Sequence, residues 1–217
     1  KIMSVNKISY QNIIGQLNNK TTLGAVSKIK PIEDILALYN LGQKDFGENY
    51  VQELVDKQSQ LPTAIRWHFI GHLQSNKVKY IAPFVHLIHG VDSFKLLQEI
   101  NKQAAKNNRI IKCLLQVHIA QETTKFGFGL NELNDLSMLQ NLPNIQVVGL
   151  MAMASFSEDK QLVRNEFKQL KKLFDTLKIA QPQFSILSMG MSDDYTIALE
   201  EGSTMIRIGS LLFGKRN

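Results

Sequence analysis

Short β-rich segments alternate with helical patterns along the whole chain, and this alternation constrains the fold more than any other feature. Eight segments predict strands, at residues 23–28, 45–49, 67–71, 86–91, 112–119, 147–153, 184–190 and 205–209. Parallel strands need crossover connections, which are usually helices. The alternation is therefore typical of βα units arranged around a parallel sheet.

Helical periodicity marks the intervening segments. We expect helices at about residues 4–19, from Pro31, from about Val51, near Leu73, and over 93–107, 130–139, 158–178 and 192–202.

Two α/β architectures are compatible with this order. Eight βα units in 217 residues match a compact (β/α)₈ TIM barrel. A doubly wound open sheet usually has fewer strands and a glycine-rich phosphate turn after the first strand, where this chain has SKIKP at 27–31. The pattern favours the barrel, with residues 1–217 as a single domain.

Composition narrows the class of protein. Hydrophobic residues make up 44% and charged residues 20%, as in soluble globular proteins. The apolar runs are too short for a transmembrane helix, and no secretory pattern opens the chain. The single cysteine, Cys113, excludes an internal disulfide and a CxxC site, so we expect a reducing cytoplasm.

The net charge of +6 comes from scattered lysines without an arginine-rich segment. This favours an anionic small molecule over nucleic acid as the partner. The helical faces do not demand a second subunit, so we expect a monomer.

In a barrel, the residues that close each strand form the functional face. The candidates in chain order are Lys28, Glu48, Asn49, Gly71, His72, Asp92, Lys125, the SMGMS segment at 188–192, and Arg207 with Gly209 and Ser210.

The loops after the seventh and eighth strands read SMGMSDD and RIGS. Glycines allow backbone N–H groups to approach an anion, and Ser188, Ser192 and Ser210 add hydroxyl donors. This predicts a phosphate site. Alternatively, Ser192 only caps the next helix, while Asp193 and Asp194 complement the helix dipole and would repel phosphate if they faced it.

Two cations at strand ends need an explanation. Arg207 lies in the apolar run MIRIG, so its guanidinium requires either an ion pair with Glu48 or Asp92, or a ligand acceptor. Lys28 either extends into solvent or acts as a nucleophile whose pKa is lowered by Lys30 or Lys125. A phosphate anchor beside a nucleophilic lysine points to pyridoxal phosphate (PLP).

The histidines do not predict a metal site. We expect His68 to be a strand histidine that forms a hydrogen bond within the protein. His86, His89 and His118 lack a metal-ligand spacing such as HExxH.

Five motifs in order, AVSKIKP, FGENYVQE, WHFIGHLQSNK, SMGMSDD and GSTMIRIGSLLFG, resemble the pyridoxal phosphate homeostasis protein family over residues 23–214. This family comprises single-domain relatives of the alanine racemase N-terminal barrel, a fold-type III PLP fold. The resemblance implies PLP as a Schiff base on Lys28 and Arg207 facing the pyridine nitrogen.

The resemblance also implies further cofactor-binding residues. The implied phosphate ligands are Ser188 and Ser192 of SMGMS and Gly209 and Ser210 of the RIGS turn. Asn49 is expected near the ring and Lys125 at the edge of the site, and Met189 and Lys30 complete the expected cofactor-binding residues. Lys125 is carried over less directly, because this chain has KFG where the family has a K-S-G-like motif.

The implied function is vitamin B6 homeostasis and amino-acid balance without catalysis, with apo PLP-dependent enzymes as acceptors. Related racemases use a second domain and a partner tyrosine as an opposing acid/base. Because the sequence ends at Asn217, we expect an open site without a second proton carrier. The alternatives are a weak amino-acid racemase, and a barrel enzyme for another phosphorylated metabolite in which Lys28 and Lys30 are merely cationic.

Overall fold

The computed structural model describes residues 5–123 and 126–214. Its eight strands are β1 (Thr22–Val26), β2 (Asp45–Glu48), β3 (Arg66–Phe69), β4 (Leu87–Val91), β5 (Ile111–Gln116), β6 (Ile145–Met151), β7 (Ile186–Ser188) and β8 (Met205–Ile208). Each strand pairs in parallel with the next, and β8 pairs with β1 from Thr22–Met205 to Ala25–Ile208. The (β/α)₈ barrel is confirmed, and the open sheet is wrong because the first and last strands are hydrogen-bonded.

The helices are α1 (Lys7–Gln16), α2 (Ile32–Asn40), α3 (Val51–Gln58), α4 (Val78–Ile81), α5 (Phe94–Lys106), α6 (Lys160–Ala180), α7 (Tyr195–Glu200) and α8 (Ser210–Phe213). Short polar side chains begin several of them. Ser93 accepts from the Leu96 N–H at 3.2 Å, and Asp159 accepts from the Gln161 N–H at 2.9 Å. Such caps satisfy N–H groups that have no partner within the helix.

The helix expected over residues 130–139 is wrong. This segment forms turns followed by a 3₁₀ helix, Ser137–Asn141. The Asp135 carboxylate accepts from the Ser137 N–H at 2.8 Å, and the Glu132 carboxylate accepts from the Gly129 N–H. These local side-chain bonds compete with the helical pattern.

Side chains on the strands divide into two sets. Phe46, Phe69 and Ile88 belong to the main core, which by strand alternation lies between the sheet and the helices. A separate small cluster consists of Leu87, Leu114, Val148, Met151 and Met205, which alternation places inside the barrel. Among the described residues, no helix combines the length and apolar character needed to cross a membrane.

The barrel wall has a required glycine in β6. Gly149 has φ +155°, and a Cβ atom there would lie 1.8 Å from the Ile186 carbonyl oxygen. The β5–β6 register shifts between Cys113 and Leu114. Gly149 therefore allows β6 to approach β7 closely where the neighbouring register is irregular.

Candidate functional site

A cavity of about 230 Å³ opens at the carboxyl ends of β1 and β8. Its lining includes six predicted site residues: Lys28, Lys30, Ser192, Arg207, Gly209 and Ser210. Val26, Met191, Asp193 and Gly214 complete the lining and were not predicted as ligand-binding residues. Three cationic side chains and one carboxylate give the cavity a positive balance that suits an anionic ligand.

A tight turn brings both lysines of SKIK to this cavity. β1 ends at Val26, two residues earlier than expected. The Lys30 N–H then donates to the Ser27 carbonyl at 3.0 Å. Ile29, which lies between the two lysines, has φ +62°. The Lys30 ammonium donates to the Phe213 carbonyl at 2.8 Å. The turn therefore places both lysines at the same cavity.

Arg207 is 4% exposed and has neutral partners. It donates to the Ser188 hydroxyl at 2.6 Å and to the Ala152 carbonyl at 3.0 Å. Burial lowers its pKa to about 10, against a small opposing effect of Asp194. The guanidinium therefore keeps its proton at neutral pH.

The ion pairs considered for Arg207 are wrong. Glu48 contacts Lys57 at 2.8 Å, and Asp92 contacts His72 at 3.1 Å. Two of the five guanidinium N–H groups donate to Ser188 and Ala152, which leaves three without an acceptor in the described part of the chain. Since Arg207 lines the cavity, these groups are available to a ligand.

The helix after β7 begins three residues later than expected. α7 begins at Tyr195 with Asp194 as its N-cap residue, so the alternative that Ser192 caps this helix is wrong. The Asp194 carboxylate accepts from the Met191 N–H at 2.6 Å. Asp193 lines the cavity with Ser192, so one of the two acids remains at the ligand site.

Ser188 and Met189 do not line this cavity. The Ser188 hydroxyl is fully buried between Arg207 and His89, at 2.6 Å and 3.0 Å. Met189 is buried in the main core, and its carbonyl accepts from the Ser203 hydroxyl at 2.7 Å. Neither residue lies at the cavity, so their expected cofactor contacts stay predictions.

Asn49 lies at the end of β2 and lines a neighbouring cavity of about 410 Å³ with Tyr50 and His72. Its Oδ1 atom is buried and has no hydrogen-bond donor among the residues described. A buried oxygen without a donor is costly, so a ligand or water that donates to it would be stabilising. Lys125, also expected near the site, lies outside the described residues.

A chain of buried polar side chains continues from Arg207 through the barrel interior. Ser188 contacts His89 Nδ1 at 3.0 Å, and His89 Nε2 lies 2.9 Å from His68 Nδ1. His68 Nε2 lies 2.9 Å from the Asp45 carboxylate. The expectation of a hydrogen-bonded strand histidine at position 68 is confirmed. The sequence analysis did not predict this series of hydrogen-bonded side chains, although each of them occupies an inward position of its strand.

Arg66 closes the far end of this chain. Its guanidinium donates to both Asp45 oxygens, at 2.8 Å and 2.5 Å. Burial raises the pKa of Asp45, but the hydrogen bonds from Arg66 and His68 and the charge of Arg66 outweigh burial and hold that pKa below its usual range. The ligand atoms of Asp45, His68 and His86 lie within 4.8 Å of one another. Because Arg66 already binds both carboxylate oxygens, this cluster does not favour a metal ion.

Comparison with known proteins identifies the family. The model described as "Alanine racemase, N-terminal domain" matches residues 9–217. A pyridoxal phosphate homeostasis protein of Pasteurella multocida is 43% identical over 89% of this chain and 85% of its own length. One of Aquifex aeolicus is 43% identical over 93% and 90%. The chain belongs to the pyridoxal phosphate homeostasis protein family.

Solved structures agree with this membership. PipY of Synechococcus elongatus, solved with PLP bound, is 34% identical with a TM-score of 0.87, covering 95% of this chain and 99% of PipY. An alanine racemase of Clostridium difficile is 16% identical with a TM-score of 0.79, covering 97% of this chain and 56% of the racemase. The racemase shares the barrel fold with this member of the family.

Proposed function

We propose that this protein binds PLP at the carboxyl end of its barrel, as a Schiff base on Lys28, and acts in PLP homeostasis without catalysing a reaction. Its family membership and the PLP-bound PipY structure support this proposal. We further propose a cytoplasmic, single-domain monomer that releases PLP to apo PLP-dependent enzymes.

The observation that carries the proposal is the convergence of Lys28 and Arg207 on one cavity. A lysine amine and an arginine N–H donor are the groups that a pyridine aldehyde needs at its opposite ends. Gly209 and Ser210 line the same cavity, where α8 begins at Ser210. The first N–H groups of a helix lack intrahelical partners and suit a phosphate.

The residues present fit PLP chemically. The cofactor supplies an aldehyde that condenses reversibly with an amine, releasing water. Lys28 would provide the amine, and Lys30 would add positive charge. Arg207 would donate to the ring nitrogen and keep its proton, because a guanidinium does not give up its proton in proteins. An unprotonated ring nitrogen is a weaker electron sink than a protonated one.

Replacing Lys28 tests the covalent assignment. We expect PLP-loaded wild-type protein to show the visible absorbance band of a Schiff base, and Lys28→Ala to lose it. Lys20→Ala, at an exposed turn, is the matched control and should keep the band. Borohydride reduction and peptide mass analysis should locate a pyridoxyl group on Lys28. An unchanged band in Lys28→Ala contradicts the proposal.

The racemase alternative requires turnover. We expect the enantiomers of alanine and serine to stay at their starting ratio after long incubation with PLP-loaded protein, as measured by chiral chromatography. Sustained racemisation that Lys28→Ala abolishes would replace the non-catalytic role with an enzymatic one.

A further inference from the structure

We propose that Asp45, His68, His89 and Ser188 form a hydrogen-bonded relay with one fixed direction, which positions Arg207 for the ring nitrogen of its ligand. The relay spans the barrel interior, from Arg66 at the amino end of β3 to Arg207 near the carboxyl end of β8. The role of Arg207 toward PLP rests on the proposed function, whereas the direction of the relay does not.

The two ends of the relay set its direction. A guanidinium can only donate, so Ser188 accepts from Arg207. An ionised carboxylate can only accept, so His68 Nε2–H donates to Asp45. If His68 is neutral, its Nδ1 is an acceptor and takes the Nε2–H of His89. His89 Nδ1 then accepts a hydrogen bond from the Ser188 hydroxyl. Every donor consequently points toward Asp45.

Hydrogen bonding at Ser188 supports this direction. Arg207 donates to the Ser188 hydroxyl, which is fully buried. If the relay ran the other way, His89 would also donate to Ser188, and the Ser188 proton would have no acceptor among the described residues. A buried donor without an acceptor is costly. Burial likewise lowers the pKa of His89 well below its ordinary value, which favours the neutral form that accepts from Ser188.

The relay has a structural consequence for Arg207. Because the Ser188 hydroxyl donates its hydrogen bond to His89, the lone pairs of its oxygen are directed toward the guanidinium. The Ala152 carbonyl, 3.0 Å from the other terminal nitrogen, fixes a second point. Two fixed acceptors hold the guanidinium in one orientation, with its remaining N–H groups available to the cavity. Asp45, His68 and His89 therefore act as positioning residues that do not contact the ligand.

The direction of the relay can be measured without a cofactor. In ¹⁵N-histidine-labelled, cofactor-free protein at neutral pH, we expect His68 and His89 to be neutral Nε2–H tautomers in long-range ¹H–¹⁵N spectra. His68→Gln and His89→Gln assign the signals. An Nδ1–H tautomer at His89, or an imidazolium at His68 or His89, overturns the relay.

Two replacements of His89 test its effect on the ligand. A glutamine can donate from Nε2 to His68 and accept from Ser188 through Oε1, whereas leucine can do neither. We expect His89→Leu to shift the absorbance maximum of bound PLP and weaken PLP binding about tenfold, as for a lost buried hydrogen bond to a charged group. His89→Gln should restore most of both properties. His86→Gln, at the same end of the barrel as His68 but outside the relay, is the control and should match wild type.

Ser188→Ala gives an independent test that hardly changes side-chain volume. It should reproduce the spectral shift of His89→Leu, and the double variant should be no worse than either single variant, because both break one chain. Far-UV circular dichroism verifies folding of each variant. Additive effects, or a wild-type spectrum in Ser188→Ala, overturn the proposal. If wild-type protein fails to bind PLP, the proposed function fails, and the tautomer measurement still decides the relay.

Discussion

At the scale of single residues, Ile29 bears the strain of the turn that brings Lys28 and Lys30 to one cavity. Its φ of +62° lies in the left-handed region, and its side chain is 64% exposed. A branched side chain there clashes with the backbone and has little buried contact in return.

Replacing Ile29 with a residue that tolerates this conformation should stabilise the fold. We expect Ile29→Asn to raise the free energy of unfolding by about 1 kcal/mol, since left-handed backbone costs an L-residue roughly 1–2 kcal/mol. Urea denaturation measures the change. Ile110→Asn, at an exposed position outside the left-handed region, is the control and should give no gain. Equal stability of Ile29→Asn and wild type would show that the turn is not strained.

At the scale of elements, a buried lysine attaches α3 to the first two strands. Lys57 is 7% exposed and contacts the Glu48 carboxylate at 2.8 Å, Glu53 at 2.6 Å and the Ser27 carbonyl at 2.7 Å. Burial raises the pKa of Glu48, and the nearby Lys57 charge opposes that rise. The Glu48 carboxylate thus depends on Lys57 for compensation.

Removing Lys57 should therefore destabilise the fold strongly. We expect Lys57→Met to lower the free energy of unfolding by about 3 kcal/mol, because breaking a buried pair leaves an uncompensated charge. The exposed pair Lys171–Asp175 provides a matched control, and Lys171→Met should cost less than about 1 kcal/mol. Adding Glu48→Gln to Lys57→Met should recover part of the loss in urea denaturation. Equal costs for the two lysines would contradict the buried pair.

At the scale of the whole molecule, stability should depend on the neutral state of the interior histidines. Burial lowers the pKa of His86 to about 4, helped by the positive charges of Arg66 and Lys112, while Asp45 opposes it. The pKa of His89 also lies well below its ordinary value, again mainly because of burial. Between the ordinary histidine pKa near 6.5 and these values, the unfolded chain binds protons that the folded barrel does not.

The contribution of the neutral histidines to the free energy of unfolding should accordingly be complete above pH 6.5 and fall as the pH drops toward 4. Each histidine adds a slope of at most about 1.4 kcal/mol per pH unit, less for His86 where solvent screens it. Urea denaturation from pH 7 to 4 should show this fall, and His86→Gln should reduce its slope. Measurements between pH 7 and 8 serve as the control range and should be flat. If the slope for His86→Gln equals the wild-type slope, His86 does not contribute to this pH dependence.

The order of strands and helices follows from the sequence, because burial periodicity and turn residues are local signals. The eight strands lie within a few residues of their predicted positions, and only the segment at 130–139 lost its helix to local side-chain bonds. The motifs also indicated which residues gather at the carboxyl ends. Lys28, Lys30, Ser192, Arg207, Gly209 and Ser210 do line one cavity.

Sequence alone determined the barrel's units and the family to which they belong. Only the tertiary structure decided that β8 closes on β1, that a left-handed Ile29 returns Lys30 to the cavity, and that Ser188 supports Arg207 from inside the barrel. These features depend on contacts between residues distant in sequence, such as His89 and Ser188. Periodicity reports which face a residue occupies, whereas the identity of its partner depends on strand register and barrel closure.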